Sequence, residues 1–232
     1  MMENKPAKND LGLAGIVLAG GKSTRLGQDK AGIVFSGASL LCRTVDLLRR
    51  HCSTVCVVGR NPANECAARA GRDLDNDLPW LLDLVPGCGP AGGIATALKV
   101  LQRPCLVLSC DLPLMDDATV TRLIRGRTEK PEQAVMTTFQ QQETGYIEAL
   151  TAIYELEALP LLETALARRL FQLNRILSEP LRHHLPYRRN EAIPFFNVNH
   201  PADLSLLRTL EFFHSARPAS GAAAPGAVPP PG

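Results

Sequence analysis

The apolar positions fall into two kinds of pattern that alternate along the chain. Gly15-Ile16-Val17-Leu18, Val55-Cys56-Val57-Val58 and Cys105-Leu106-Val107-Leu108-Ser109-Cys110 are short, almost continuous apolar runs, each followed within two residues by glycine or aspartate. Runs of that length and ending read as strands buried on both faces. Leu40, Leu41, Thr44, Val45, Leu47 and Leu48 recur instead at helical spacing and predict an amphipathic helix over 39–51. Further helices are expected near 63–71, from Ala91-Gly92-Gly93-Ile94 onward, and over 116–126, 156–173 and 201–214. Ile33–Phe35 is a short apolar run, and Ala134–Phe139 and Tyr146–Tyr154 read as strands around a polar turn at 140–145. Strands that alternate with helices imply an α/β chain: a three-layer α/β/α, Rossmann-like architecture with a mostly parallel central sheet.

Composition narrows the picture. A chain of 232 residues with 45% apolar content can bury a substantial single core. Residues 1–11 form a polar, flexible lead-in without the apolar centre of a signal peptide. Residues 216–232 are mostly Pro, Ala and Gly, too poor in apolar surface to order, so one domain over 12–215 is expected between two loose ends. No apolar run approaches a membrane span, and a soluble, cytoplasmic protein is expected. The lone Trp80 is read as a packing anchor. Seven cysteines are present without a Cys-x-x-Cys pair. His51, Cys52 and Cys56 make a faint metal pattern, set against small buried residues in a reducing compartment.

A net charge of +2 argues against bulk nucleic-acid binding. That charge is uneven: Arg168, Arg169, Arg175, Arg182, Arg188 and Arg189 face only Glu179 within 168–189, a local +5 against −3 elsewhere. The stretch reads equally well as a solvated helix face and as a patch for an anionic substrate.

The chemistry concentrates at 15–31. A buried strand breaks at Gly20-Gly21, and Lys22, Arg25 and Lys30 follow. Paired glycines let backbone amides approach a ligand closely, and the cations balance an anion, so the stretch reads as a phosphate-binding loop. It is not a Walker-type loop: Gly21-Lys22-Ser23 would need a glycine at position 16, which is Ile16. Gly87-Cys88-Gly89-Pro90-Ala91-Gly92 spells a dinucleotide fingerprint but carries Pro86 and Pro90, so a loop is expected there. Asp111 follows a buried strand at the edge where parallel sheets bind ligands, ahead of Leu112-Pro113. A carboxylate there suits Mg²⁺ shared with phosphate, or caps the helix expected near Asp116.

The pattern Leu18-Ala19-Gly20-Gly21-x-Ser23-x-Arg25-x-Gly27-x-Asp29-Lys30 resembles the signature of molybdenum cofactor guanylyltransferases, within the nucleotidyltransferase superfamily, with Leu26 where that family usually has Met. Three more segments resemble the same family in order: Asp83 followed by Gly89-Pro90-Ala91, Cys110-Asp111-Leu112-Pro113, and Phe196-Asn197-Val198-Asn199-His200-Pro201. Glu148-Ala149-Leu150 matches a further family segment loosely. Asn197 and Asn199 alternate with apolar neighbours and are expected to project from one side of a short strand.

The resemblance implies transfer of GMP from GTP to the terminal phosphate of molybdenum-bearing molybdopterin, with release of pyrophosphate. It implies nucleotide binding by Leu18, Ala19, Gly20, Gly21, Lys30, Asp83 and Asp111, catalysis by Arg25, Lys30 and Asp111, and Mg²⁺ on Asp111. Asn197 and Asn199 would meet the acceptor, so the N-terminal part of the domain would bind nucleotide and the C-terminal part the acceptor. Molybdenum-insertion proteins and molybdoenzyme chaperones are the implied protein partners; nucleic acid and membrane are not. Spacing alone leaves open cytidylyl transfer, a sugar-phosphate acceptor, and a non-catalytic nucleotide or cofactor carrier on the same fold.

Overall fold

The computed structural model describes residues 12–19, 30–59 and 78–215. The glycine loop at 20–29, the helix expected near 63–71 and both chain ends lie outside the described residues. The elements run β1 (Ala14–Leu18), β2 (Val34–Phe35), β3 (Ala38–Ser39), α1 (Leu40–His51), β4 (Thr54–Val58), β5 (Trp80–Leu81), α2 (Gly89–Leu101), β6 (Cys105–Ser109), α3 (Asp117–Arg127), β7 (Met136–Gln141), β8 (Ile147–Tyr154), α4 (Ala158–Ala167), α5 (Leu173–Ile176), β9 (Arg182–Tyr187) and α6 (Pro201–Ser215).

Among the described residues, seven strands make one sheet in the order β5-β4-β1-β6-β8-β7-β9. All are parallel to their neighbours except β8, which runs antiparallel to both β6 and β7. The continuous apolar runs sit at the centre, where β1, β4 and β6 are buried on both faces. Helices α2, α4 and α5 pack on one face around Ile94, Leu98, Leu162 and Leu173. Helices α1 and α3 pack on the other around Leu41, Val45, Leu48, Val120 and Leu123. This is the three-layer, mostly parallel architecture that the alternation predicts.

A third, smaller cluster joins Ile33, Phe35 and Leu40 to Val198 and Leu207. It brings the C-terminal segment back against the residues that follow the glycine loop. The His51, Cys52 and Cys56 grouping proves structural. Cys52 and Cys56 are core residues, burial pushes the Cys56 thiol up to about 12, and His51 contacts Asp117 at 2.9 Å.

Four local expectations differ from the structure. Helix α2 starts at Gly89, because Pro90 in the first turn gives up an amide that has no helical partner there. The strand expected over 134–139 runs over 136–141. The helix expected over 156–173 stops at Ala167, where Arg169 adopts a left-handed φ of 57°. Leu170 N–H donates to the Ala165 carbonyl at 2.9 Å and Arg169 N–H to Leu166 at 3.0 Å, closing a Schellman turn without glycine. The arginine-rich stretch is accordingly no single helix face: it crosses the end of α4, α5 and β9.

Arg127 at the end of α3 grips Glu155 at the end of β8 through two bonds, Nε–Oε1 at 2.8 Å and Nη2–Oε2 at 2.7 Å, with Glu155 buried. Lys99 and Glu163 pair at 2.9 Å on the exposed surface. Breaking the buried bidentate pair with Glu155→Ala is expected to cost about 3 kcal/mol in urea unfolding. Glu163→Ala is expected to cost no more than about 0.5 kcal/mol. Equal effects would contradict the burial argument.

Candidate functional site

Parallel strands β4, β1 and β6 end together, and their carboxyl edge is where an open α/β sheet leaves a crevice. Asp111 lies two residues beyond β6. Its Oδ1 accepts a hydrogen bond from the Ser109 hydroxyl at 2.6 Å, and its Oδ2 accepts one from Lys30 Nζ at 3.0 Å. Lys30 also donates to Asn199 Oδ1 at 2.5 Å. These contacts span 81 and 169 residues of sequence. They join the end of the glycine loop, the tip of the central strand and the C-terminal Asn-Val-Asn segment at one ammonium group.

The placement of each group has a local cause. Lys30 opens a one-turn 3-10 helix, Lys30–Gly32, whose Ala31 is buried. Asn199 is held by its neighbours. Val198 is fully buried in the third cluster, and its N–H donates to the Asp111 carbonyl at 3.0 Å. Residues 196–199 form no strand, contrary to expectation; that one backbone bond and the buried valine anchor them. Asp203, in the first turn of α6, accepts from the backbone N–H groups of Asn199 (2.9 Å) and His200 (2.8 Å). Those two bonds hold its carboxyl below the usual range. On the other side Phe195 packs on Tyr187 and Phe139, with ring centroids 4.5 and 5.1 Å away. Tyr187 donates in turn to Glu148 Oε1 at 2.5 Å.

Asp83 sits apart from this triad, beside the start of α2. A methyl group added at Gly93 would lie 3.1 Å from Leu18 and 3.5 Å from Asp83 Oδ1, so the glycine keeps this corner free of tight contacts. Asp83 Oδ1 is buried without a hydrogen-bond partner, and burial pushes the carboxyl upward. Asn197 Oδ1 is likewise buried and unpartnered. Buried acceptors without donors are costly in a free protein and mark positions for a ligand's N–H or O–H groups, or for a cation.

The structure therefore brings Lys30, Asp111 and Asn199 together, with Leu18 at the end of β1, Ala19 bonded by its N–H to the Val58 carbonyl, and Asp83 beside Gly93. Gly20, Gly21 and Arg25 lie outside the described residues. Ser109 was not expected. It stands two residues before Asp111, the period that puts alternate strand residues on one face.

The family model described as the MobA-like NTP transferase domain matches residues 15–186. The chain belongs to the MobA-like NTP transferase family. The family match stops before Asn197 and Asn199, so the contact of Asn199 with Lys30 comes from the geometry alone. A molybdenum cofactor guanylyltransferase of Rhizobium johnstonii is 30% identical over 200 residues, covering 83% of this chain and 90% of that one. A molybdenum cofactor biosynthesis bifunctional protein of Synechocystis is 34% identical over 66% of this chain, which spans 42% of that longer protein. The crystal structure of molybdopterin-guanine dinucleotide biosynthesis protein A from Archaeoglobus fulgidus shares the fold, with a TM-score of 0.64 at 24% identity, covering 88% of this chain and all of that one.

The raised carboxyl of Asp83 gives a stability prediction with a definite sign. Between its ordinary value and its raised folded value, the folded state binds more protons than the unfolded state. Stability contributed there falls as pH rises. Asp83→Asn is therefore expected to raise the melting temperature of the free protein at pH 7, with the gain fading below the ordinary carboxylate range. It is also expected to weaken GTP binding. A lower melting temperature at pH 7 would contradict the reading of Asp83 as an unsatisfied buried acceptor.

Proposed function

We propose that this chain is a molybdenum cofactor guanylyltransferase. It transfers GMP from GTP to the terminal phosphate of molybdenum-bearing molybdopterin and releases pyrophosphate. The observation that carries the reading is the meeting of Lys30, Asp111 and Asn199 at the carboxyl edge of the sheet. The guanylyltransferase from Rhizobium johnstonii and the dinucleotide biosynthesis protein from Archaeoglobus fulgidus point to the nucleotide and the acceptor. On this reading residues 12–215 act as one domain, with the nucleotide toward its N-terminal part and the acceptor toward its C-terminal part. The cytoplasm is the matching compartment, and molybdenum-insertion proteins and molybdoenzyme chaperones are the matching partners. No helix among the described residues is long and apolar enough to cross a membrane.

In the reaction an oxygen of the acceptor's phosphate attacks the α-phosphorus of GTP. A new P–O–P bridge forms, the bond to the β-phosphate breaks, and pyrophosphate leaves with the electron pair. The attacking phosphate is largely ionised near neutral pH, so no general base is needed. What the protein must supply is alignment and charge stabilisation. Lys30 supplies a positive charge next to the reacting phosphates and moves from Asp111 and Asn199 toward them. Gly20, Gly21 and Arg25 are assigned to cradling the triphosphate and stabilising the leaving group. Asp83 accepts from donor groups of the nucleoside, and Asn197 and Asn199 orient the acceptor.

The donor set fits Mg²⁺. Each Asp111 oxygen carries one hydrogen bond and keeps a further lone pair, and the unpartnered Asn197 oxygen belongs to a segment bonded to the Asp111 backbone. Mg²⁺ is typically held by one or two carboxylates together with substrate phosphates and water, so a single carboxylate suffices. Held there by Asp111, it would supply positive charge to the substrate phosphates.

The test incubates the protein with Mg²⁺, molybdenum-bearing molybdopterin and each of GTP, CTP and ATP in turn, following pyrophosphate and the mass of the product. Pyrophosphate and the guanine dinucleotide are expected with GTP alone. Asp111→Asn is expected to lower the rate by at least about a hundredfold, and GTP affinity by calorimetry far less. Preference for CTP would replace guanylyl with cytidylyl transfer. Tight GTP binding without pyrophosphate release would make the protein a carrier.

A further inference from the structure

Two exposed aromatic side chains and one arginine of the arginine-rich stretch play no part in the phosphate centre. They meet in a single groove of about 600 Å³ whose lining includes Pro90, Tyr146, Phe171, Asn174, Glu179 and Arg182. Of the six arginines, only Arg182 lines it. Arg188 is instead held by Gln142 at 3.3 Å. Tyr146 is 64% exposed and Phe171 40%, and Arg182 Nε is buried without a hydrogen-bond partner.

The groove is tied to the phosphate centre through β8. Strand β8 runs antiparallel to β6 with Thr151 opposite Leu108, so Ile147–Leu150 continue past the paired part of β6 toward the level of Asp111. Ile147, Ala149 and Leu150 line the groove. Pro90 belongs to the first turn of α2, the same end of that helix that Gly93 brings against Asp83. The groove and Asp83 thus lie near the two sides of one helix start.

We propose that this groove receives the flat pterin end of the acceptor, with Arg182 and Glu179 reading its polar edge, so that the acceptor's phosphate reaches Asp111. The inference rests on the guanylyltransferase reading and specifies its acceptor side. A pterin is a flat heteroaromatic, and Tyr146 and Phe171 offer it apolar ring surface otherwise left to water. Its amino-oxo pyrimidine edge sets N–H donors beside a carbonyl acceptor. Glu179 accepts from the donors; Asn174 and Arg182 donate to the carbonyl and ring nitrogen. The unpartnered Nε of Arg182 is costly in the free protein, and an acceptor-bearing ligand removes that cost. Guanine presents the same edge. The two sites separate by position: Leu18 and Asp83 border the β1–β4 side of the start of α2, and the groove borders the β8 side.

The test uses the full chain and measures KM for molybdopterin and for GTP, together with quenching of free 6-carboxypterin fluorescence without GTP. Arg182→Gln and the double variant Tyr146→Ala/Phe171→Ala are expected to raise KM for molybdopterin about tenfold or more and to abolish most of the quenching. KM for GTP is expected to stay within about twofold, and kcat at saturating molybdopterin is expected to fall much less than KM rises. Lys99→Gln, which removes an equal charge from an exposed pair at the far end of α2, is the control and is expected to change neither KM. Should the double variant fail to fold, Arg182→Gln and Arg182→Lys carry the comparison, and Lys, which lacks the Nε donor, is expected to behave like Gln. Unchanged KM for molybdopterin with normal quenching overturns the proposal, and a rise in KM for GTP instead makes the groove the guanine site and overturns it as well. Groove-dependent quenching in a wild-type protein that forms no guanine dinucleotide upholds the pterin groove and defeats the guanylyltransferase reading.

Discussion

The ammonium of Lys30, shared between Asp111 and Asn199, is the contact on which the site depends. Its two partners come from a strand tip and a C-terminal segment that have no sequence proximity to it or to each other. Both Lys30 and Asp111 are mostly withdrawn from water, with side chains 20% and 13% exposed. For such a pair, desolvation consumes much of what attraction returns, so it adds little to stability. The useful consequence is exchange. On the proposed reading, a ligand that brings phosphates and a cation would give Lys30 and Asp111 new partners of the right sign, and the free-protein contact would be surrendered at little net cost.

The fold serves that contact at a distance. The buried strands β1, β4 and β6 make a rigid platform, and Asp111 is pinned at its edge by Ser109 and by the backbone bond to Val198. The third apolar cluster draws Val198 and α6 against Ile33 and Phe35, and Asp203 then secures the backbone of Asn199. Asp83 and Asn197 are the opposite case. Their buried oxygens lack donors, and the stability they forgo is the usual signature of groups kept ready for a ligand.

Much of this was legible in the residues because it rests on local rules. Continuous apolar runs give buried parallel strands, and a carboxylate after such a run stands at the ligand edge. Thus the central sheet and the placement of Asp111 follow from pattern alone. The misjudged features were decided by less visible physics. The helix after Leu156 ends early because Arg169 turns left-handed without a glycine to announce it. Asn197 and Asn199 look like a strand by alternation, but among the described residues no neighbouring strand pairs with them, and buried Val198, its bond to Asp111 and the Asp203 carboxylate fix the segment instead. The arginine-rich stretch could not be interpreted from charge, since only the tertiary fold singles out Arg182. Ser109 carried a usable signal, its two-residue spacing from Asp111, that a motif search passes over.

A shared phosphate centre requires that Lys30 and Asp111 act as one unit. A double-mutant cycle on pyrophosphate release from GTP, with saturating molybdopterin, measures this. Lys30→Ala and Asp111→Asn are each expected to lower the rate by at least about a hundredfold, and the double variant is expected to be scarcely slower than the slower single one, as for groups that act together. Losses that multiply, or full activity in either single variant, would contradict a shared phosphate centre.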